Sequence, residues 1–116
     1  MLKRHELQSC CPIELALLLV GNRYKAIIII ELLNGKKRFT ELKNLINGIS
    51  QKVLTDHLRI MEEYGAISRE VYAEVPPRVE YSLTELGLAL KPIIDDMIEW
   101  GENYKATHCE KLKSTT

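Results

Sequence analysis

The sequence predicts a mainly α protein with one small β-hairpin, folded as a single domain over residues 1–116. Two patterns indicate this fold class. Apolar residues recur at three- and four-residue steps through most of the chain, as in amphipathic helices. Between residues 67 and 83 the pattern changes to β-branched and aromatic runs on either side of Pro76-Pro77, which is typical of a hairpin. With 116 residues, 46% of them apolar, the chain is long enough for one hydrophobic core.

Two apolar helices are predicted near the N-terminus. The first begins at Pro12 and covers about residues 12–20, before Gly21-Asn22. It is apolar on more sides than one packing partner requires. The second covers about residues 24–33. Its run of isoleucines favours a strand by propensity alone, but the helical spacing and the Asn34-Gly35 end favour a helix.

Residues 39–64 are predicted to form two short amphipathic helices joined by a tight turn. Asn47-Gly48 ends the first, and Ser50 is placed to cap the second by accepting a hydrogen bond from a free backbone N–H. The inward stripes are predicted to be Phe39, Leu42, Leu45 and Ile46 on the first helix, and Val53, Leu54, Leu58, Met61 and Tyr64 on the second. The pattern is that of a helix-turn-helix, whose second helix presents a polar face to a partner.

The chain after residue 64 predicts a wing and a final helix. Residues 67–72 and 79–83 are strand-like around the proline-containing tip, and Lys36-Lys37-Arg38 is predicted to add a small third strand. Helices followed by such a hairpin make a winged helix-turn-helix, with the wing at residues 67–83. A long helix over about residues 84–104 is then predicted, capped by Thr84 and kinked at Pro92.

The helices at residues 12–20 and 84–104 carry more apolar surface than one winged domain covers, which predicts a homodimer. The alternative is that one of these helices packs on the other within a single chain. The predicted dimer interface comprises Leu15, Leu18, Leu19, Leu90, Ile94, Met97, Ile98, Trp100 and Tyr104.

The formal net charge is zero, but the charges are unevenly distributed. Residues 35–59 contain six cations and two anions, a net charge of +4, and residues 85–110 contain two cations and six anions, a net charge of −4. A cationic helix-turn-helix and an acidic far end would orient the molecule toward a polyanion. The alternative interpretation is ordinary solvated surface charge.

Other classes of protein are not supported by the sequence. The three histidines are scattered and no catalytic set or phosphate-binding glycine loop is present, so an enzyme is not expected. Three cysteines, Cys10, Cys11 and Cys109, match neither a disulfide framework nor a four-ligand zinc site. We predict no metal and no cofactor. No membrane-spanning run or cleavable signal is apparent, so we expect a cytoplasmic protein.

Six segments together resemble the HxlR-type winged helix-turn-helix transcriptional regulators. They are Cys11-Pro12, Lys25 with the isoleucine-rich helix, RFTELKNLI at 38–46, GISQKVLTDHLRIMEEYGAI at 48–67, PPRVEYSLTELG at 76–87 and WGENY at 100–104. The resemblance covers nearly the whole chain. It implies a dimeric regulator that binds near-palindromic double-stranded DNA. The family pattern tends to have a cation where this chain has His57, so one expected DNA contact is in question.

In such a dimer the two recognition helices enter successive major grooves. The chemistry of base edges pairs Gln51 with adenine, Lys52 with guanine and Asp56 with cytosine. The predicted DNA-binding residues are Lys36, Lys37, Arg38, Thr40, Ser50, Gln51, Lys52, Thr55, Asp56, Arg59 and Arg78. Alternatively, the helix face is merely polar, Arg78 only braces the hairpin, or the protein is a winged-helix interaction module that never binds DNA.

Cys11 precedes Pro12, near the N-terminus of a helix, where the helix dipole stabilises a thiolate. Several regulators of the resembled family use a cysteine here to sense oxidants, quinones or aldehydes. The resemblance therefore implies an oxidant or small-molecule effector acting at Cys11, with Cys10 able to resolve a sulfenate on the partner chain. The alternative is that Cys11 is an inert, half-buried cap residue.

Overall fold

The computed structural model describes residues 11–115, with side chains described as far as His108. The described chain is a winged helix-turn-helix, as the sequence predicts. Its helices are α1 (Pro12–Val20), α2 (Arg23–Leu33), α3 (Phe39–Leu45), α4 (Gln51–Glu63), α5 (Glu85–Leu88) and α6 (Lys91–Thr115). Its strands are β1 (Lys37–Arg38), β2 (Ile67–Tyr72) and β3 (Arg78–Leu83).

The isoleucine-rich segment is helical, and it forms the centre of the core. Ile28 and Ile29 of α2 are completely buried. Asn22 starts α2, because its side chain accepts a hydrogen bond from the Tyr24 N–H at 2.8 Å. Burial of this segment among the other helices and β3 therefore overrides its intrinsic preference for a strand.

The helix-turn-helix consists of α3 and α4. The Arg38 N–H donates to the Glu41 carboxylate at 2.8 Å at the start of α3, and the Ser50 hydroxyl accepts from the Val53 N–H at 3.1 Å at the start of α4. These bonds satisfy backbone donors that have no partner within a helix. The predicted apolar face of α3 needs one correction, because Leu45 is half exposed while its neighbours Leu42 and Ile46 are buried.

The three strands form an antiparallel sheet in the order β1-β3-β2, so the predicted small strand lies beside the wing hairpin. The register pairs Tyr81 of β3 with Lys37 of β1 on one side and with Arg69 of β2 on the other. Directly paired residues lie on the same face of a sheet. The buried ring of Tyr81 is therefore flanked by two cationic side chains.

The predicted single helix over residues 84–104 is divided in two. The short helix α5 ends at Leu88, and α6 starts at Lys91, so Pro92 lies in the first turn of α6 rather than at a kink. Proline is accommodated there because the first N–H groups of a helix have no intrahelical partner. The break allows Leu90 to turn into the core, where it is buried.

A compact joint connects α5 to the end of α4. The Thr84 hydroxyl accepts from the Gly87 N–H at 3.1 Å and donates to the carbonyl of Gly65. The Thr84 N–H donates to the Ala66 carbonyl at 3.1 Å. Gly65 follows α4 with a positive φ of 85°, a conformation that favours glycine. Residues 84–87 are therefore fixed against the chain that leaves α4.

Four residues of the predicted dimer interface belong to the core of the single chain. These are Leu18, Leu19, Leu90 and Ile94. The helical period correctly identified these four residues as buried, but they are buried against the rest of the same chain and not against a partner. The other members of the set are not enclosed: Leu15, Met97, Ile98 and Trp100 are exposed, and Tyr104 is partly exposed.

The helix α6 extends away from the winged domain. The radius of gyration is 15.9 Å, whereas a compact domain of this length has about 13.4 Å. Trp100 is 68% exposed and stacks on Tyr104, with ring centroids 5.4 Å apart. Tyr104 stacks in turn on His108, with centroids 4.5 Å apart. In residues 11–115 no helix is long and apolar enough to cross a membrane.

Candidate nucleic-acid interface

The N-terminal half of α4 presents the polar face that the sequence predicts. Gln51 and Lys52 are exposed, and Thr55 and Asp56 are partly exposed one turn further on. The Lys52 ammonium donates to the Asp56 carboxylate at 3.2 Å. Ser50 has a structural role, because its hydroxyl accepts the cap bond described above. Ser50 is also exposed, so the exposed polar surface includes Ser50, Gln51 and Lys52.

His57 does not belong to this face. Both of its ring nitrogens are buried and have no hydrogen-bond partner within the described residues, and its ring lies 6.4 Å from that of Tyr24 in α2. Burial lowers the pKa of His57, and the nearby positive charge of Lys25 lowers it further. Asp56 opposes this shift. The cation that the family pattern led us to expect is therefore replaced here by an inward-facing imidazole.

Lys25, which the resemblance included without a role, is a buried lysine. Its ammonium group donates to the Leu18 carbonyl at 3.0 Å, near the C-terminal end of α1. A cation is favourable there because the carbonyl groups at the end of a helix carry partial negative charge. Burial lowers the pKa of Lys25. The lysine thus connects α1 to α2 behind the recognition helix.

A second group of predicted contacts lies around β1 and the start of α3. Lys36, Arg38 and Thr40 are exposed there, and Lys37 is partly exposed. Lys36 lies 3.7 Å from the carboxylate of Glu70 in the wing, a weak exposed pair. The structure thus brings these four residues together beside the wing, at one end of the helix-turn-helix.

At the wing tip, Arg78 is held by residues of the hairpin itself. Its guanidinium lies 3.1 Å from Glu74 and 3.7 Å from Glu80, and it covers the ring of Tyr72 at 4.1 Å from the centroid. Tyr72 also donates to Glu70 at 2.7 Å, and this bond raises the pKa of Tyr72 to about 12. These contacts agree with the second interpretation of Arg78, in which it braces the hairpin.

A notch between α4 and the wing contains one cation that the sequence analysis did not predict. Its volume is about 250 Å³, and it is lined by Thr55, Leu58, Arg59, Glu62, Arg69 and Tyr81. Arg59 was predicted as a phosphate contact, but Arg69 was not. The only sequence signal for Arg69 is its position in a strand, because its proximity to α4 depends on the register of the sheet.

Cys11 is an exposed free thiol at the N-cap of α1. Its side chain makes no capping hydrogen bond, so the sulfur is not engaged by the helix that it precedes. Exposure is one of the conditions for thiol reactivity. Cys10, the predicted resolving cysteine, lies outside the described residues.

The sequence model of the HxlR-like helix-turn-helix family matches residues 19–109. The chain belongs to the HxlR family. The uncharacterized HTH-type transcriptional regulator YdeP of Bacillus subtilis is 50% identical over 95 residues, which cover 82% of this chain and 74% of that protein. The resemblance stated from the sequence is therefore confirmed, and this HxlR-family chain is a DNA-binding transcriptional regulator and not an enzyme.

Solved structures of relatives have the same fold. The redox regulator HypR in its reduced form has 46% sequence identity and a TM-score of 0.76, and the match covers 81% of this chain and 93% of that one. The reduced form of the transcriptional regulator YodB from B. subtilis has 35% identity and a TM-score of 0.70, with 90% and 95% of the two chains covered. The HxlR-family relatives thus include redox regulators.

Proposed function

We propose that this HxlR-family regulator binds a near-palindromic operator as a homodimer and reads it with α4. The observation that carries the proposal is the exposed polar face around Gln51 and Lys52, at the N-terminus of a helix whose opposite side is buried. In helix-turn-helix dimers the two reading helices enter major grooves about 34–36 Å apart. A protein that binds an operator acts where the DNA is, so we expect it in the cytoplasm.

The pairing of Lys52 with Asp56 supports a specific reading of one base pair. In the major groove, guanine offers the acceptors O6 and N7, and its partner cytosine offers an N4 donor. An ammonium and a carboxylate 3.2 Å apart on one helix face complement these groups. We assign Lys52 to the guanine and Asp56 to the cytosine of a G·C pair, and Gln51 to a neighbouring adenine.

The test uses duplexes selected from random sequence with the wild-type protein. Lys52→Ala should weaken binding and relax the preference at one base position, whereas Lys37→Ala should weaken all duplexes alike and reduce the salt dependence. Lys105→Ala is the control, because Lys105 lies on the acidic helix α6. Failure of the wild-type protein to bind any duplex at low salt would refute operator binding and favour a protein-interaction module.

The dimer proposal depends on the apolar side chains that the single chain leaves exposed. Ile13, Leu17, Met97, Ile98 and Trp100 are all at least 40% exposed on α1 and α6, and an apolar patch of this kind marks an association surface. Trp100→Ala should shift sedimentation toward the monomer. Val71→Ala shortens an apolar side chain of the wing that is 56% exposed and should leave the dimer intact. Equal sedimentation of all three proteins as monomers would contradict the proposal.

We also propose that oxidation of Cys11 regulates DNA binding. A two-electron oxidant such as a peroxide converts the thiolate to a sulfenic acid, and the thiol of Cys10 on the partner chain then condenses with it to a disulfide and releases water. The exposure of Cys11 supports the first step. Peroxide or diamide should change the DNA affinity of the wild type but not of Cys11→Ser. An identical response in the two proteins would exclude Cys11 as the sensor.

A further inference from the structure

The notch between α4 and the wing contains two guanidinium groups. Arg59 reaches it from the recognition helix and Arg69 from β2, with the Tyr81 side chain between them. Glu62, the one acidic residue in the lining, lies 3.7 Å from the Arg69 guanidinium. Two guanidinium groups and one carboxylate leave the notch with a net positive charge, in a molecule whose overall charge is zero.

The side chains in the notch are held by the fold. The ring of Tyr81 is buried in the core, and the register places Arg69 directly beside it. Arg69, Arg59 and Glu62 all act electrostatically on the Tyr81 hydroxyl, whose pKa is raised mainly by burial. Four polar groups from α4, β2 and β3 therefore converge on one small space.

The cations of the notch are only weakly neutralised in the free protein. A distance of 3.7 Å between the Arg69 Nε and the Glu62 carboxylate is longer than a good hydrogen bond and far from a bidentate pair. Arg59 has no ion-pair partner among the residues that the structure describes. Both guanidinium groups thus retain donors for an incoming anion, and guanidinium is the group best suited to bind phosphate with two parallel bonds.

We propose that the notch binds one backbone phosphate of the operator between Arg59 and Arg69, with Thr55 and Tyr81 as further hydroxyl donors. This inference rests on the proposed operator binding, because the notch adjoins the exposed face of α4. Such a contact is independent of sequence and fixes the register of the recognition helix on the duplex. Glu62 holds Arg69 in the free protein and competes with the phosphate, so it opposes DNA binding.

The test compares Arg69→Gln with Glu62→Gln on the selected operator. Arg69→Gln should weaken binding about ten-fold or more, and should reduce the slope of log affinity against log salt by about 0.9 for each subunit. Glu62→Gln should tighten binding several-fold, because it removes the competing anion. If the Arg69–Glu62 pair only braces the wing against α4, both variants weaken binding, and that outcome would overturn the proposal.

The contact can also be located on the DNA. Replacing single phosphates by neutral methylphosphonates should identify one position per half-site where the wild type loses affinity and Arg69→Gln does not. The absence of any such position would refute the notch as a phosphate site. Wild-type binding in the same series tests the operator proposal separately. If the Arg69→Gln variant does not fold, the Arg69→Lys variant is used instead. Lysine keeps the positive charge but cannot make the two parallel hydrogen bonds of a guanidinium group. Its affinity for the operator should therefore fall, with little change in the slope of log affinity against log salt.

Discussion

The joint between α5 and the recognition helix makes a sharp prediction for Gly87→Ala. A Cβ at residue 87 would lie 2.1 Å from the carbonyl oxygen of Ala66 and 3.0 Å from a methyl group of Leu83. The Ala66 oxygen cannot easily move, because it accepts the hydrogen bond from the Thr84 N–H. Since carbon and carbonyl oxygen atoms pack at about 3.3 Å or more, a methyl group at 2.1 Å would force the two backbone segments about 1.2 Å apart.

The expected loss of stability for Gly87→Ala is about 1–3 kcal/mol. Overpacking costs about 1–3 kcal/mol, and weakening the Thr84–Ala66 hydrogen bond adds about 1 kcal/mol. Alanine has a higher helix propensity than glycine, and this offsets at most about 1 kcal/mol of the loss. Thermal unfolding followed by circular dichroism should show a midpoint lower by roughly 4–12 °C. Protomer concentration must be held fixed, because association raises the apparent stability of a dimer.

Gly101→Ala is the matched control, since Gly101 lies inside α6 and a Cβ there meets no atom within 4 Å. The same change should stabilise the protein by about 0.5–1 kcal/mol, because it removes the conformational entropy of glycine from a helix. The two variants are therefore expected to shift the midpoint in opposite directions. A midpoint for Gly87→Ala equal to or above that of the wild type would refute the steric argument.

Two further predictions concern the recognition helix. Ser50→Ala should destabilise the protein by about 1 kcal/mol because it removes the N-cap bond to the Val53 N–H, whereas Ser50→Asp should retain most of the stability; equal denaturant midpoints for the two variants would contradict a capping role. Burial lowers the pKa of His57 in the folded protein from its ordinary value of 6.5. Below about pH 6.5 the unfolded chain therefore binds a proton at His57 more readily than the folded chain does. The free energy of unfolding should fall on acidification for this reason. His57→Phe should reduce that fall between pH 7 and pH 5, and an unchanged pH profile would show that His57 is not responsible.

The sequence predicted the helices and strands well because their signals are local. Pro12 marks the start of α1 because it lacks an N–H and fixes its own φ, and Asn22, Ser50 and Gly65 mark helix boundaries through hydrogen bonds to their own neighbours. The break between α5 and α6 has one such signal, Pro92, but it predicted a kink rather than a new helix. The break arises because Leu90 is drawn into a core formed by residues distant in sequence, and periodicity alone continues the helix through it. The helical period likewise finds buried faces but does not say which surface covers them, which explains the reassignment of Leu18 and Ile94.

The candidate site was predictable only where one helix determines it. Successive residues of an α-helix are rotated by about 100°, so the outward face of α4 follows from its inward stripe. His57, next to Asp56, turns away from that face for the same reason. Arg69 and Lys25 acquire their roles from tertiary contacts, through the sheet register in one case and through the Leu18 carbonyl in the other. No pattern in the sequence carries that information.

The contacts of α1 connect the exposed thiol to the recognition helix. Cys11 begins α1 and Leu18 lies seven residues later, about 10 Å along the helix axis. The Leu18 side chain packs with Ile60 of α4, and its carbonyl group is held by Lys25. If the proposed oxidation of Cys11 displaces α1, the displacement would act on α4 by direct packing, with no intermediate element. Because Leu18 and Ile60 are both buried in the single chain, this connection does not depend on a partner subunit, and in the proposed dimer the partner would only add a second such unit on the operator.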